Sequence, residues 1–115
     1  MIVIPISGKA GHGKDTFASI LRAELAKIGK TAIIIHYADY LKYCLKQYYN
    51  WDGQKDEAGR TLLQHFGTEV VRAKDPDFWV DSVCRLLKAL EDEFDFALIA
   101  DARMVNEVEK LYDFF

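Results

Sequence analysis

Apolar residues fall along this chain in blocks whose spacing alternates between continuous and helical. Residues 2–6 (Ile-Val-Ile-Pro-Ile) form a short, nearly unbroken apolar run, the pattern of a strand buried on both faces of a parallel sheet. From Lys14 the period lengthens, so that Phe17, Ile20, Leu21, Leu25 and Ile28 share one helical face, and Gly29 stands where a left-handed residue ends a helix. Thr31-Ala32-Ile33-Ile34-Ile35-His36 is a second buried strand. Strand, loop, helix and strand in that order make a βαβ unit, which requires a parallel sheet and a right-handed crossover.

Tyr37-Ala38-Asp39-Tyr40-Leu41-Lys42 follows at the carboxyl end of the second strand, where ligands sit in open α/β sheets, and Asp39 and Lys42 lie one turn apart. Residues 50–56, with Asp52-Gly53, read as a loop, and residues 59–72 have helical periodicity. At 100° per residue, Leu62, Leu63, Phe66 and Val70 share one side of that helix and Arg60, Gln64, Gly67 and Thr68 another. The second side is polar yet poor in Lys and Glu, as a face turned to a site is; Val71, falling near it, does not fit. Asp75-Pro76-Asp77 reads as a helix start, with Asp75 as cap and Pro76 at the first helical position, and the helix runs to about Asp92. Its apolar side is Trp79, Val83, Leu86, Leu87 and Leu90. Phe96-Ala97-Leu98-Ile99-Ala100-Asp101 is a third buried strand ending in a carboxylate at the ligand edge.

Composition narrows the class. The 115 residues suit one domain, half of them hydrophobic, and a net charge of -3 from 15 basic and 18 acidic side chains without long runs argues against a nucleic-acid groove or an anionic membrane surface. No apolar segment approaches the ~20 residues of a membrane span or resembles a secretion signal. Cys44 and Cys84 follow no metal-ligand spacing and read as reduced core thiols of a cytoplasmic protein. His12, His36 and His65 share no spacing that makes a metal site and read as bystanders.

The chemistry lies between the first strand and the first helix. Ser7-Gly8-Lys9-Ala10-Gly11-His12-Gly13-Lys14-Asp15-Thr16 contains G-x-x-x-x-G-K, the spacing of a phosphate-binding loop. A polyphosphate is best held by several backbone N–H groups turned inward, and Gly8, Gly11 and Gly13 give the chain that freedom, with Ala10 and His12 completing the loop. Lys14 adds a point charge for the β and γ phosphates, and the helix that starts there turns its positive dipole end to the same anion. The residue after the lysine, commonly a Ser or Thr bound to Mg²⁺, is Asp15, which either holds the metal through a water or caps the helix, while Thr16 offers a hydroxyl to the α phosphate. The fold these readings predict is α/β of the P-loop NTPase class, three layers α/β/α around a parallel sheet, in one domain over residues 1–115. In phosphoryl transfer an acid at the ligand edge orients Mg²⁺ or accepts a proton, a role open to Asp101, whose plainer reading is a helix cap.

These residues, in order and spacing over nearly the whole chain, resemble the phage-type deoxynucleoside monophosphate kinases. The likeness is carried by Ser7-Gly8 through Gly13-Lys14-Asp15-Thr16, by Ala38-Asp39-Tyr40-Leu41-Lys42, by Arg60-Thr61-Leu62-Leu63-Gln64-His65-Phe66-Gly67-Thr68-Glu69, by Phe78-Trp79-Val80, and by Asp101-Ala102-Arg103 with Asn106-Glu107. The G-K-D-T ending of the loop is itself a feature of that family. The resemblance implies transfer of the γ-phosphoryl of ATP, with Mg²⁺, to the 5′-phosphate of a deoxynucleoside monophosphate. It implies that Lys42, Arg60, Gly67, Thr68 and Trp79 line the monophosphate pocket, with Asp101 and Arg103 near the transferring group.

Electrostatics gives those roles a reason, since a dianionic acceptor approaches a tetra-anionic donor only if cations offset the repulsion. Lys42, Arg60, Arg72 and Arg103 are the candidates, each also readable as a solvent-facing or paired side chain. Trp79 stacks on the base or belongs to the core, and Gln64 reads a base edge or is a surface amide. Such kinases continue past the third strand into further strands and an arginine-bearing lid. Here Asp113-Phe114-Phe115 comes last, an apolar pair that looks like the start of another strand, so the expectation is a C-terminally truncated domain. Base and sugar specificity, and pairing into a homodimer, stay open. Other readings are a P-loop kinase of dephospho-coenzyme A or phosphomevalonate and a non-catalytic ATP-binding module; no Asn-Lys-x-Asp guanine motif supports a switch GTPase.

Overall fold

The computed structural model describes residues 1–7, 13–102 and 105–115. Among them a parallel three-stranded sheet is built from β1 (Ile2–Pro5), β2 (Ala32–Ile35) and β3 (Phe96–Ile99) in the order β1-β3-β2. The chain is thus α/β, as the alternation of apolar patterns predicts. The third strand inserts between the first two, a long-range choice that no local pattern encodes. In register, Pro5 and Ile35 both lie beside Ile99, so the residues that follow all three strands emerge at one edge. The ladder runs one step further through Ile6 N–H to the Ile99 carbonyl (2.8 Å) and Ala100 N–H to the Ile35 carbonyl (3.0 Å).

The two faces of the sheet are covered by different helices. On one, Ile4, Ile34, Leu98 and Ala100 pack with Ala18 and Leu21 of α1 (Lys14–Lys27). On the other, Val3, Ile33, Ala97 and Ile99 pack with Val80, Val83, Cys84 and Leu87 of α4 (Phe78–Ala89) and with Leu111 of α5 (Val105–Phe114). Strand side chains alternate between these two clusters, the period-two pattern a sheet imposes, and the arrangement is compatible with three layers. Between β2 and α4 the chain forms α2 (Asp39–Tyr48) and α3 (Glu57–Gln64), the latter running on into a π-helical segment (His65–Arg72).

Several local expectations are met in detail. Gly29 has φ +77°, with its N–H on the Ala26 carbonyl and the Lys30 N–H on the Leu25 carbonyl, a Schellman ending that only glycine enters without strain. Cys44 and Cys84 are free and buried, and burial pushes the Cys84 thiol up to about 11. No described helix is long and apolar enough to cross a membrane.

Others are corrected. β1 is an edge strand with Ile2 exposed, so only β3 has the double burial expected of the first run. α1 seats on the sheet through Ala18 and Leu21, leaving Phe17, Ile20 and Ile28 of its apolar stripe in solvent, and Leu86 of α4 is exposed as well. α4 starts at Phe78 rather than at Pro76: Asp77 stands at the cap position, and Asp75 accepts only the Asp77 N–H, at 3.3 Å. Phe114 ends a helix and packs on the α4/α5 core, so the final apolar pair does not open a strand.

The far edge of the sheet is pinned by Asp95, whose Oδ2 accepts the Thr31 N–H (2.8 Å) and hydroxyl (3.3 Å). The Thr31 amide is the main reason the Asp95 carboxyl lies below its ordinary range. A carboxylate with a depressed folded-state pKa stabilises above the unfolded value, and that contribution disappears as pH falls through the folded one. Stability of the native chain is therefore expected to drop more steeply than that of Asp95→Asn as pH falls below about 4, read as urea midpoints at pH 6.5 and pH 3; equal slopes would contradict the assignment.

Candidate active site at the carboxyl edge of the sheet

Each strand delivers polar residues to the same edge. Beyond β1 lies Lys14, beyond β2 His36, Tyr37 and Ala38, and beyond β3 Ala100 and Asp101; with residues of α2, α3 and the π segment they line a cavity of about 640 Å³. That volume suits a small-molecule ligand. Of the residues singled out above, Lys14, Asp15, Lys42, Arg60, Gln64, Gly67, Thr68, Arg72, Trp79 and Asp101 all line it. Asp39 stands just outside, beneath His36, and Thr16 is exposed in the first turn of α1 away from the lining. Gly8, Ala10, Gly11, His12 and Arg103 lie outside the described residues.

Gly13 turns into α1 with φ +73°, a left-handed conformation that favours glycine, and Lys14 is the first helical residue. A cation there opposes the helix dipole, which marks Lys14 as placed for something other than helix stability. Next to it Asp15 is held by His36, whose Nε2 lies 2.5 Å from Asp15 Oδ1. His36 also faces Asp39, with Nδ1 3.4 Å from Oδ1 and the backbone N–H donating to Oδ2 at 2.9 Å. The reading of His36 as a bystander is therefore corrected: it lines the cavity and ties the start of α1 to the start of α2. That hydrogen bond, ahead of the charges of His36, Lys42 and Lys14, lowers the Asp15 carboxyl below its ordinary range. His65 pairs with Glu69 on the exposed surface.

Asp101 accepts the Tyr37 N–H on Oδ1 (2.7 Å) and the Ala38 N–H on Oδ2 (3.2 Å). It thus clamps the turn that leads from β2 into α2, a reach of more than sixty residues along the chain. Each oxygen keeps a further lone pair, and the residue lines the cavity.

The π segment explains which side of the third helix faces the site. Where the backbone closes i→i+5 bonds the helical period lengthens, and Gly67, Thr68 and Arg72 of this segment line the cavity together with Leu63 and Gln64 of α3. The 100° projection fails beyond Gln64, so Val71, at the polar side in that projection, is carried off it; Leu63, read as core, is a wall of the site from within α3. Gly67 lies against Leu41, whose Cδ2 would be 3.1 Å from an added Cβ, and its carbonyl accepts the Trp79 Nε1–H at 3.2 Å. Trp79 is buried at the wall among Phe78, Tyr40 and Phe66, so the alternatives of core and pocket residue merge in it.

Lys55, Leu63, Glu107 and the His36-Tyr37-Ala38 turn are lining residues whose side-chain roles sequence reasoning missed. Among the described residues, five cations (Lys14, Lys42, Lys55, Arg60, Arg72) and three carboxylates (Asp15, Asp101, Glu107) meet here. On a chain of net charge -3 this is a local reversal of sign. Burial first, then the charge of Lys55, holds the Lys42 ammonium below its ordinary range, with Asp39 and Asp101 opposing. Five cations around one cavity, with Lys42 among them partly desolvated, suit an anion.

No set of three or more metal-ligating side chains gathers among the described residues. Of the three carboxylates at the cavity, Asp15 and Asp101 fit a hydrated Mg²⁺ arriving on a polyphosphate and touched through water, since that ion gives up its water reluctantly. They do not form a resident cage. Comparison with protein-family models, with curated proteins and with solved structures finds no match to this chain.

Proposed function

We propose that the chain is a P-loop kinase core that transfers the γ-phosphoryl of ATP to the 5′-phosphate of a (deoxy)nucleoside monophosphate, working in the reducing cytoplasm. One observation carries the reading: Lys14, the residue that closes the G-x-x-x-x-G-K spacing, lines a cavity at the carboxyl edge of a parallel sheet together with four other cations. Lys14 and the α1 N-terminus serve the donor's β and γ phosphates. Lys42, Arg60 and Arg72, on the opposite elements, serve the acceptor.

In the transfer, an acceptor phosphate oxygen forms a bond to the γ phosphorus as the bond to the bridging β oxygen breaks, and the diphosphate of the donor leaves. A phosphate monoester is largely dianionic at neutral pH, with a second pKa near ~6, so the attacking oxygen carries no proton to remove. Asp101 is then a positioning carboxylate rather than a base: it holds the Tyr37-Ala38 turn, and its remaining lone pairs would accept from the water of a bound Mg²⁺. The cations offset repulsion between donor and acceptor and the charge that spreads over the transferring group. When bound, Mg²⁺ supplies charge neutralisation and orientation of the polyphosphate.

The test is a screen of the deoxynucleoside and ribonucleoside monophosphates with ATP and Mg²⁺, scored by formation of the diphosphate. Asp101→Asn should turn over about 100-fold more slowly and lose about 2 kcal/mol of stability, because an amide presents an acceptor to one of the two backbone N–H groups and a second donor to the other. Diphosphate formation undiminished in Asp101→Asn would reject the role given to Asp101, and tight ATP binding with no turnover on any monophosphate would reject the kinase reading.

A further inference from the structure

The loop at residues 51–56 is braced far more firmly than a surface connection requires. Its Asp52 carboxylate accepts the Gln54 N–H (2.9 Å), the Gln54 carbonyl accepts the Trp51 Nε1–H (3.1 Å), and Asp56 caps α3 by accepting the Gly59 N–H (2.7 Å). Gly59 is buried against it, and a Cβ there would lie 2.0 Å from the Gln54 carbonyl oxygen. Lys46 of α2 adds a cation over the Trp51 ring at 5.9 Å. What this brace holds out is Lys55, which lines the cavity with Lys42 and whose charge helps to lower the Lys42 ammonium below its ordinary range.

Two ammonium groups that line one cavity repel, and neither offers the other an acceptor. A fold that fixes one of them on a braced loop and the other on a helix keeps that repulsion in place. An anion between them turns it into two attractions. Arg60, one turn into α3 from the same loop, lines the cavity on that side and supplies a planar fork.

We propose that Lys55 and Lys42 form, with Arg60, a clamp for a phosphate-monoester dianion, and that Lys55 is the residue by which this pocket separates a phosphorylated acceptor from its unphosphorylated counterpart. The inference deepens the kinase reading and rests on it for the acceptor's identity, but the clamp itself needs only the phosphate. Repulsion between the two lysines keeps the empty site primed, and a monoanion satisfies it only in part.

Calorimetric titration of the full chain with a nucleoside monophosphate, the matching nucleoside, inorganic phosphate and ATP with Mg²⁺ tests it, in native protein, Lys55→Ala and Lys55→Arg. Lys55→Ala should bind the monophosphate about 10-fold more weakly, leave nucleoside and ATP affinities unchanged, and be largely rescued by Lys55→Arg. A second readout is direct: the Lys42 amine, followed by its NMR titration, should move up toward its ordinary value in Lys55→Ala and also when inorganic phosphate fills the native site. Equal monophosphate affinity in native protein and Lys55→Ala, with the Lys42 titration unmoved by phosphate, would overturn the clamp while leaving the kinase reading standing. Binding of inorganic phosphate that depends on Lys55, without binding of any nucleoside monophosphate, would instead uphold the clamp and remove the kinase reading.

Discussion

Lys14→Ala should weaken ATP binding and cut turnover by about 10²- to 10³-fold each, while stability stays within about 0.5 kcal/mol of the native chain. The two halves of this expectation come from one placement. Lys14 is the first residue of α1, at the positive end of the helix dipole, and it lines the cavity. Its charge adds to the dipole and the loop amides when a polyphosphate is bound, and opposes the dipole when it is not. Removing it therefore costs the ligand much and the fold little. Lys14→Arg keeps the charge but replaces a compact ammonium with a wider fork, and should recover only part of the affinity. Calorimetry with ATP and Mg²⁺, paired with thermal unfolding, reads both halves; a variant that binds as the native chain does, or one that unfolds, contradicts them.

Gly59→Ala should be the most destabilising of the single-methyl changes, by about 3 kcal/mol, through overpacking and loss of the Asp56 cap. The added Cβ would meet the Gln54 carbonyl at 2.0 Å, the Trp51 Nε1 at 2.9 Å and Asp56 Oδ1 at 3.2 Å. Backbone within such reach cannot rotate aside, so the loop must leave α3. Gly29→Ala is the natural comparison, because φ is +77° there but nothing stands within 4 Å of an added Cβ. It should cost about 1 kcal/mol, the left-handed strain alone. Denaturant midpoints give both values. Displacing the loop also carries Lys55 off the cavity, so Gly59→Ala should lose monophosphate affinity with ATP affinity kept; unchanged stability in Gly59→Ala would mean that the loop is not held as described.

The parts of this architecture set by local spacing could be read from the sequence. Three apolar runs are the three strands, Gly29 ends α1, and the polar residues chosen at strand ends and on the third helix, from Lys14 to Asp101, gather around one cavity. What escaped depends on contacts distant in sequence or on an altered helical period. Insertion of β3 between β1 and β2 is set by packing of the whole sheet. The π segment changes the period from within, so a projection at constant angle places Val71 on the wrong side. Phe17, Ile20 and Leu86 are apolar at helical spacing yet exposed, because a stripe predicts a face and not the width of what covers it.

Two missed site residues differ in how they could have been found. His36 directly precedes the turn already placed at the ligand edge, with Asp15 and Asp39 both expected nearby, so the signal was present and a spacing argument about metals obscured it. Lys55 sits in a loop of ordinary composition. Only the buried Gly59 and the bonds that brace residues 51–56 show where that side chain is aimed.

The central claim is that one cavity at the carboxyl edge of the sheet receives both phosphate groups, and amide chemical-shift mapping tests it most directly. With ATP and Mg²⁺ added to the native chain, shifts should concentrate at residues 13–16, 36–38 and 100–101; a nucleoside monophosphate added next should extend them to Lys42, Lys55 and residues 60–72. Shifts confined to the exposed side of α1 around Ile20 and Ile28, or none at millimolar nucleotide, would contradict the account.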